Sequence, residues 1–378
     1  MGKAPKFLET FLGKMVVVLL VCSSLAPAFA SVPSPEWEGN QKSESAIPSQ
    51  TESPAPVTSD TTNSITTRLG NLPTGRARIA LVLGGGGTRG AAHVGVLKVL
   101  EREGVPIDLI VGTSMGSVVG GLYAAGVSVA SIENKFANGE LMRSFLTVPL
   151  AVRIIVTPLF DVPRMLGFKR LDGLYNGGRF AKYLDRSVPE ECHDVSKLKI
   201  PFAAVALNLI DGQVYTVTSG QFGRAIQASS AVPILRKPVL MGDRLFVDGG
   251  VTANLPVAQA RQLGADIVIA VDVDERFEPV SIDSFKKNGS VAHRVMTLHL
   301  SKVDEQQLRQ ADIVIHPPVN GIGLISTRSE DLQTAIRAGE DAAQESMPAV
   351  RRLLEAKGVV INRSSTALTG DDKPLDSQ

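Results

Sequence analysis

Cysteine and histidine are scarce in this chain of 378 residues, which contains only two cysteines and five histidines. Cys22 and Cys192 lie far apart, and no cysteine or histidine spacing typical of a zinc site occurs. The formal net charge is only +1, which excludes the strongly basic surface typical of nucleic-acid-binding proteins. The sequence therefore predicts no metal site, no disulfide framework and no nucleic-acid partner.

Long apolar runs are also missing, because the N-terminal run over residues 15–21 is too short to span a membrane. Three lysines precede this run or border it, and Ala28-Phe29-Ala30 supplies the small residues that a signal peptidase reads. The sequence therefore predicts a signal peptide over residues 1–30, with cleavage before Ser31. The expected location is the periplasm or the cell envelope.

Two other features of the sequence concern membrane attachment and the division of the chain into segments. Cys22 ends a segment that resembles a lipoprotein box, although valine stands where a small residue normally precedes the cysteine. The first alternative to cleavage before Ser31 is therefore a lipid anchor through Cys22, and the second is an uncleaved membrane anchor. Residues 31–75 are rich in Ser, Thr and Pro and predict a disordered linker. Residues 76–362 predict the folded domain, and residues 363–378 predict a disordered tail.

The first motif that carries chemistry is Gly112-Thr113-Ser114-Met115-Gly116. The apolar residues 107–111 before it predict a buried strand, and residues 115–125 predict the helix that follows. Ser114 then lies on a sharp turn whose strained backbone exposes the hydroxyl, while the two glycines remove side chains that would clash. A G-x-S-x-G motif also occurs in ordinary turns, but its position between a strand and a helix favours a serine nucleophile.

A glycine-rich loop at residues 84–90 also connects an apolar run to a helix. Residues 79–83 predict a central strand, and residues 91–103 predict the helix after the loop. Backbone amides in such a loop form an anion site, because no side chain blocks approach and the helix dipole favours negative charge. A nucleotide-binding loop is the alternative, but the chain has neither a G-K-[ST] sequence nor a ribose-binding acid after the next strand. Arg89 either anchors the loop or steers an anionic substrate.

A nucleophilic serine needs a base, and Asp248 is the best candidate. The apolar run at residues 245–247 ends in Asp248-Gly249-Gly250, which is typical of a catalytic carboxylate at the end of a strand. Burial must raise its pKa above the ordinary value for efficient proton transfer at neutral pH. We therefore predict a buried carboxylate that contacts Ser114 directly. Structural or surface roles are predicted for His93, His193, His293, His299 and His316.

These motifs together resemble the patatin-like phospholipase family, in particular its bacterial members. The family motifs G-G-G-x-R-G, G-x-S-x-G and D-G-G correspond to residues 85–90, 112–116 and 248–250. Residues 208–214 resemble the family's hairpin, and residues 228–233 resemble its Ala/Ser-rich block. The resemblance covers residues 76–361.

The resemblance implies a catalytic pair with no cofactor. Ser114 would attack an ester carbonyl, and Asp248 would take its proton and later activate water. The oxyanion would be held by four residues of the glycine loop: Gly85, Gly86, Gly87 and Arg89.

The rest of the chain alternates strand and helix patterns. Residues 201–207, 266–273 and 312–316 predict further strands, and residues 256–263 and 331–354 predict helices. Such alternation favours an α/β fold, a three-layer α/β/α sandwich with a mostly parallel central sheet.

Several functions fit these residues. The leading hypothesis is a serine lipid acyl hydrolase for phospholipids or lysophospholipids, working at a membrane surface. Alternatives are a carboxylesterase or thioesterase with the same dyad, or a non-catalytic interaction module on the same fold. The proline-punctuated residues 141–170, which are apolar with four basic residues from 153 onward, predict either a lid at a lipid interface or an ordinary helical insertion.

Overall fold

The structure is a computed structural model that describes residues 76–146, 171, 173–286 and 290–361, without the side chains of residues 292 and 293. The predicted signal peptide, linker and tail lie outside these residues, as does the predicted lid from residue 147 to residue 170. The boundaries assigned to those segments, and to the folded domain, stay predictions.

One sheet runs through the described part of the chain. The strands are β1 Ile79–Leu83, β2 Leu109–Thr113, β3 Phe202–Asn208, β4 Val214–Val217, β5 Val239–Met241, β6 Arg244–Asp248, β7 Ile267–Val271 and β8 Ile313–Ile315. The central strands β1, β2, β3 and β7 are fully buried. Parallel pairing joins β1 to β2 and β7, β2 to β3, and β7 to β8. Antiparallel pairing joins β3 to β4 and β6, and β5 to β6. The sheet is therefore mostly parallel.

Helices cover both faces of this sheet. They are α1 Ala92–Arg102, α2 Met115–Ala124, α3 Val129–Ala137, α4 Glu140–Phe145, α5 Gly178–Arg186, α6 Phe222–Ser229, α7 Val257–Gln262, α8 Ser290–Gln310 and α9 Ser329–Ala356. Successive side chains of a strand point to opposite faces. Accordingly Ile79 and Leu81 of β1 pack into one core with α1, α2 and α9, whereas Ala80 and Val82 pack into a second core with α7. The chain is thus the predicted three-layer α/β/α sandwich.

The elements that the sequence predicted agree with these bounds to within two residues. The largest shift is at β2, which begins two residues later than predicted and includes Thr113. Strands β4 and β5 and helices α3, α5 and α6 were not predicted. Helix α8 was also missed, because its apolar side chains at positions such as Val291 and Val295 are exposed and form no core-facing stripe.

The described start of the predicted lid belongs to the core. Leu141, Met142 and Phe145 of α4 are buried. None of the described helices has the length and hydropathy needed to cross a membrane.

The register of β3 brings two distant segments together. Ala204 and Val205 pair with β2 and with β4, so β2 and β4 lie on opposite edges of β3. Ala206 pairs with β4 and with β6, so β6 lies on the same edge as β2. Thr113, the last residue of β2, pairs with Val205, and Asp248, the last residue of β6, pairs with Ala206. The ends of β2 and β6 therefore meet on neighbouring residues of β3.

Candidate active site

Ser114 lies at the turn between β2 and α2, with a backbone conformation that serine rarely adopts. Its φ is 52° and its ψ is −121°, a combination that costs on the order of 1–3 kcal/mol. A Cβ on Gly116 would lie 2.1 Å from the carbonyl oxygen of Leu83, and a Cβ on Gly112 would lie 2.6 Å from the backbone of Gly116. Neither glycine can carry a side chain, and the close packing fixes the turn that places the Ser114 hydroxyl.

The structure places Asp248 beside Ser114, at the adjoining ends of β6 and β2. The Ser114 side chain lies close enough to the Asp248 carboxylate to lower its pKa in the way a hydrogen-bond donor does. The backbone N–H of Gly250 donates a second hydrogen bond, 2.8 Å long, to Oδ1 of Asp248. Asp248 is 4% exposed and Ser114 is 8% exposed, so both residues lie away from bulk water.

Burial raises the pKa of Asp248 to about 6 from its ordinary value of 3.8. Hydrogen bonds from Ser114 and Gly250 and the charge of Arg236 act in the opposite direction. A carboxylate with this pKa is ionised at neutral pH yet basic enough to accept a proton from a reacting hydroxyl.

The pH dependence of hydrolysis tests this assignment. Because Asp248 must be ionised to act as a base, we expect kcat/KM to fall about tenfold per pH unit below about 6. The measurement is kcat/KM for a soluble short-chain ester between pH 4.5 and 9. Burial lowers the pKa of His93 to about 4, so this histidine cannot produce a limb near 6. A pH profile in which kcat/KM falls with an apparent pKa near 7, and in which this fall disappears when a histidine is replaced, would contradict the assignment.

The glycine loop lies directly beside Ser114, since a Cβ on Gly85 would be 3.2 Å from the Ser114 Cβ. The structure modifies the predicted set of oxyanion donors. The N–H of Gly85 already donates to the carbonyl oxygen of Asn254 over 3.2 Å. The amides of Gly86 and Gly87 have no partner among the described residues. These two amides are therefore the donors that an oxyanion can reach without breaking an existing bond.

The comparison with known proteins fits this geometry. The sequence profile of the patatin-like phospholipase family matches residues 81–261, which run from β1 through Ser114 and Asp248 into α7. This segment is similar to patatin-like phospholipases. It contains the glycine loop, the serine turn and the Asp-Gly-Gly sequence on which the resemblance was based.

Curated relatives of the chain are longer proteins. The chain is 34% identical over 200 residues to lysophospholipase NTE1 of Scheffersomyces stipitis, covering 52% of this chain and 12% of that protein. It is 34% identical over 214 residues to human patatin-like phospholipase domain-containing protein 6, covering 56% of this chain and 14% of that protein. The chain thus spans only about an eighth of the length of these relatives.

Among solved structures, VipD from Legionella pneumophila is similar at a TM-score of 0.40 and 15% identity, covering 72% of this chain and 67% of that chain. Nothing about function follows from a similarity of this size.

Arg89 anchors the glycine loop. Its Nε donates to the carbonyl oxygen of Ile322 over 2.7 Å, and Nη2 lies 2.8 Å from Oε1 of Glu275. Its backbone N–H donates to the carbonyl oxygen of Gly86. Both its side chain and its amide are therefore occupied, which favours the anchoring alternative over a direct contact with an oxyanion.

Arg236 is a buried residue that the sequence analysis missed. Its guanidinium carbon lies 4.3 Å from the ring centre of Phe145 and 4.8 Å from that of Phe180. Nε and Nη1 have no hydrogen-bond partner within the described residues. Burial lowers the pKa of Arg236 to about 10, so it stays charged at neutral pH and favours the ionised form of Asp248. The local sequence gave no signal for this role, because it resembles an ordinary basic loop.

Two further polar residues position the site. Ser229 Oγ accepts a hydrogen bond of 3.0 Å from the backbone N–H of Ser114. Asn254 accepts from Gly85, as described above, and its Nδ2 lies 3.4 Å from the Gly85 carbonyl oxygen. Ser229 belongs to the Ala/Ser-rich block noted in the sequence, whereas no pattern pointed to Asn254.

The histidines with described side chains all contact groups other than Ser114 and Asp248. Their partners are the carbonyl oxygen of Gly84 for His93, that of Asp185 for His193, that of Val251 for His299, and the Asp272 carboxylate for His316. Among them, His93 acts closest to the site, because its buried Nε2 donates to the carbonyl at the start of the glycine loop. The side chain of His293 lies outside the described residues.

Proposed function

We propose that this chain is a serine lipid acyl hydrolase that cleaves carboxylic ester bonds of phospholipids or lysophospholipids. The observation that carries the proposal is a strained serine beside a buried aspartate whose pKa is raised by burial to about 6. Relatives of the chain are named lysophospholipase and patatin-like phospholipase domain-containing protein, which supports lipid esters as the substrate class.

The first half of the reaction forms an acyl-enzyme. Ser114 Oγ attacks the ester carbonyl carbon while Asp248 accepts the hydroxyl proton. The carbonyl oxygen becomes an oxyanion, which the amides of Gly86 and Gly87 stabilise by hydrogen bonds. Collapse of this intermediate breaks the ester C–O bond, and Asp248 donates its proton to the departing alcohol oxygen.

The second half repeats these steps with water. Asp248 takes a proton from a water molecule, whose oxygen attacks the acyl carbonyl carbon. The bond to Ser114 Oγ breaks, the serine recovers its proton from Asp248, and a carboxylic acid leaves. A single carboxylate therefore serves as base and acid in both halves, so no histidine is required.

A comparison of substrates tests the proposed substrate class. We expect kcat/KM for a long-chain lysophospholipid or phospholipid to exceed that for a short aryl ester and for an acyl thioester. The carboxylesterase alternative predicts the highest kcat/KM for the short aryl ester, and the thioesterase alternative predicts it for the acyl thioester. If no ester is cleaved and a fluorophosphonate does not label the folded protein, the non-catalytic alternative replaces the proposal.

We also propose that the enzyme works at a membrane surface, and one exposed apolar area supports this. The area, called here the apolar surface, consists of exposed residues on the loop after β7 and on α8: Phe277, Val280, Ile282, Phe285, Val291, Val295, Met296 and Leu298. The loop and the helix are in contact, since the Arg294 guanidinium lies 3.8 Å from the ring centre of Phe277. Helix α8 also contacts the turn after Asp248, because the ring of His299 binds the carbonyl oxygen of Val251. An exposed apolar area of this kind, next to a site for lipid esters, suits docking on a lipid surface.

A charge placed in the apolar surface is expected to weaken vesicle hydrolysis selectively. Ile282 and Val295 are 83% and 62% exposed, so aspartate at both positions leaves the fold intact but opposes insertion among lipid chains. We expect at least a tenfold loss of activity on phospholipid vesicles and less than a twofold change on a soluble short-chain ester.

The matched control is Val360→Asp, which charges a residue of 75% exposure outside this surface. Equal loss on both substrates, or equal loss in the control, would contradict docking through the apolar surface.

Export, cleavage before Ser31 and a bacterial origin are also proposals, supported by the N-terminal sequence pattern. N-terminal sequencing and mass measurement of the mature protein test them. A new N-terminus at Ser31 supports secretion, whereas a lipid-modified Cys22 at the N-terminus supports the anchored alternative.

A further inference from the structure

Three buried aspartates form a cluster next to Asn254. Asp272 and Asp274 follow β7, and Asp304 lies on α8. One carboxylate oxygen from each lies within 4.8 Å of the others. All three side chains are more than nine-tenths buried. Positions so far apart in sequence gave no motif, so the sequence analysis predicted no metal site.

Hydrogen bonds orient the cluster but leave one atom unsatisfied. Asn254 Nδ2 donates to Oδ2 of Asp274 over 2.9 Å and to Oδ2 of Asp304 over 3.1 Å. The N–H of Leu255 donates to Oδ1 of Asp304, and His316 Nδ1 lies 3.0 Å from Oδ2 of Asp272. Oδ1 of Asp274 is fully enclosed and has no hydrogen-bond partner in the described part of the chain. A buried carboxylate oxygen without a donor requires a proton or a cation.

The charges around the cluster are not balanced. The Arg89 guanidinium lowers the pKa of Asp274, but it also forms an ion pair with Glu275. Three carboxylates held this close in a buried site repel one another strongly unless a cation or protons compensate them. The cluster opens on a cavity of about 420 Å³ that is lined by all three aspartates, Ser301 and His316. This volume admits an ion together with several waters, since each water occupies about 30 Å³.

We propose that Asp272, Asp274 and Asp304 bind one divalent cation of the size of Ca²⁺. The donors are all oxygens, which suits a hard cation rather than zinc or copper. The three oxygens lie within 4.8 Å of one another, which is close enough for them to share one ion. A site of three carboxylates suits Ca²⁺, because Mg²⁺ keeps several waters and is usually held by only one or two carboxylates. Waters in the cavity complete the coordination.

The cation would stabilise the glycine loop through Asn254. This residue contacts Asp274 and Asp304 through Nδ2, while its carbonyl oxygen accepts the N–H of Gly85. A fixed aspartate cluster therefore fixes the residue against which the loop packs. The role is structural, and binding can be measured without any substrate, so the result is independent of the proposed function.

Calorimetric titration of the full-length, chelator-treated protein with CaCl₂ tests the site, together with thermal unfolding. We expect one Ca²⁺ per chain and a Tm about 5 °C higher at a Ca²⁺ concentration 100 times the Kd. Mg²⁺ is expected to bind at least tenfold more weakly. Asp304→Asn removes one ligand charge and is expected to weaken Ca²⁺ binding at least tenfold, and Asp272→Asn is a second such variant in case Asp304→Asn does not fold.

The matched control is Glu305→Gln, the next residue on α8, whose exposed carboxylate pairs with Arg309. It is expected to bind Ca²⁺ as the wild type does. Absence of Ca²⁺ binding and of a Tm change in the wild type would overturn the proposal. Protons on the aspartates would then compensate the charge of the cluster. Unchanged binding in both aspartate variants would also overturn the proposal.

Discussion

Replacing Ser114 with alanine is expected to lower kcat/KM for ester hydrolysis by about 10⁴-fold or more. The hydroxyl oxygen forms the covalent bond to the acyl group, and the alanine methyl group cannot replace it. Labelling by a fluorophosphonate is expected to disappear in the same variant. The measurements are initial rates on a soluble ester and on lysophospholipid, with labelling quantified by mass spectrometry.

Ser187→Ala provides the control for this variant. Ser187 lies after α5, where its hydroxyl donates to the carbonyl oxygen of Tyr183, and it contacts no residue of the site. Its activity is expected to stay within twofold of the wild type. A Ser114→Ala protein that is folded and retains activity within tenfold of the wild type would exclude Ser114 as the nucleophile.

Replacing Asp248 with asparagine is expected to reduce kcat by about 10³-fold or more, because the amide cannot accept the serine proton. Some reactivity toward a fluorophosphonate can remain, since the turn and the glycine loop are unchanged. Any residual activity is expected to show no fall in kcat/KM below about pH 6. Asp243→Asn, an exposed aspartate in the turn before β6, is the matched control and is expected to keep wild-type rates.

The same substitution is expected to stabilise the protein at neutral pH. The pKa of Asp248 is about 6 in the folded protein against an ordinary 3.8, so folding disfavours its ionised form. The contribution of protonated Asp248 to the free energy of unfolding is therefore fully present below about pH 3.8, and it is lost as the pH rises through about 6. At about 1.4 kcal/mol per pKa unit, the cost at pH 8 is on the order of 3 kcal/mol. Asparagine avoids this cost, so Tm is expected to rise at pH 8 and to match the wild type near pH 4.

A lower Tm of Asp248→Asn at pH 8 would contradict the burial argument. A higher Tm with retained activity would instead show that Asp248 has only a structural role and that another residue acts as the base. These two measurements on one variant separate the chemical role of the carboxylate from its effect on folding.

Local sequence patterns were enough to predict the strands and turns that carry the candidate site. The strand before the glycine loop, the turn at Ser114 and the strand end at Asp248 each depend on a few consecutive residues. Their meeting point depends on β3, which pairs Val205 with Thr113 and Ala206 with Asp248. The sequence predicted that strand but not its register, and only the resemblance to a known family joined the two motifs in advance.

The missed residues have a common physical reason. Arg236, Ser229, Asn254 and the aspartate cluster act through contacts between segments that lie tens of residues apart, and nothing in their immediate neighbours marks them. Helix α8 was missed because its apolar residues face outward rather than into a core. The hydrogen bond from the N–H of Gly85 to the carbonyl oxygen of Asn254 also has no local signal, so the sequence could not distinguish Gly85 from Gly86 and Gly87.

The most direct test of the Ser114–Asp248 pair is the rate of fluorophosphonate labelling, mapped by peptide mass spectrometry. It is to be compared between the wild type and a variant in which His193, His293, His299 and His316 are replaced together. His93 is left in place because it is buried against the carbonyl of Gly84. Labelling on Ser114 at a similar rate in both proteins is the predicted result. Labelling of another residue, or loss of labelling in a folded histidine variant, would contradict a serine–aspartate dyad.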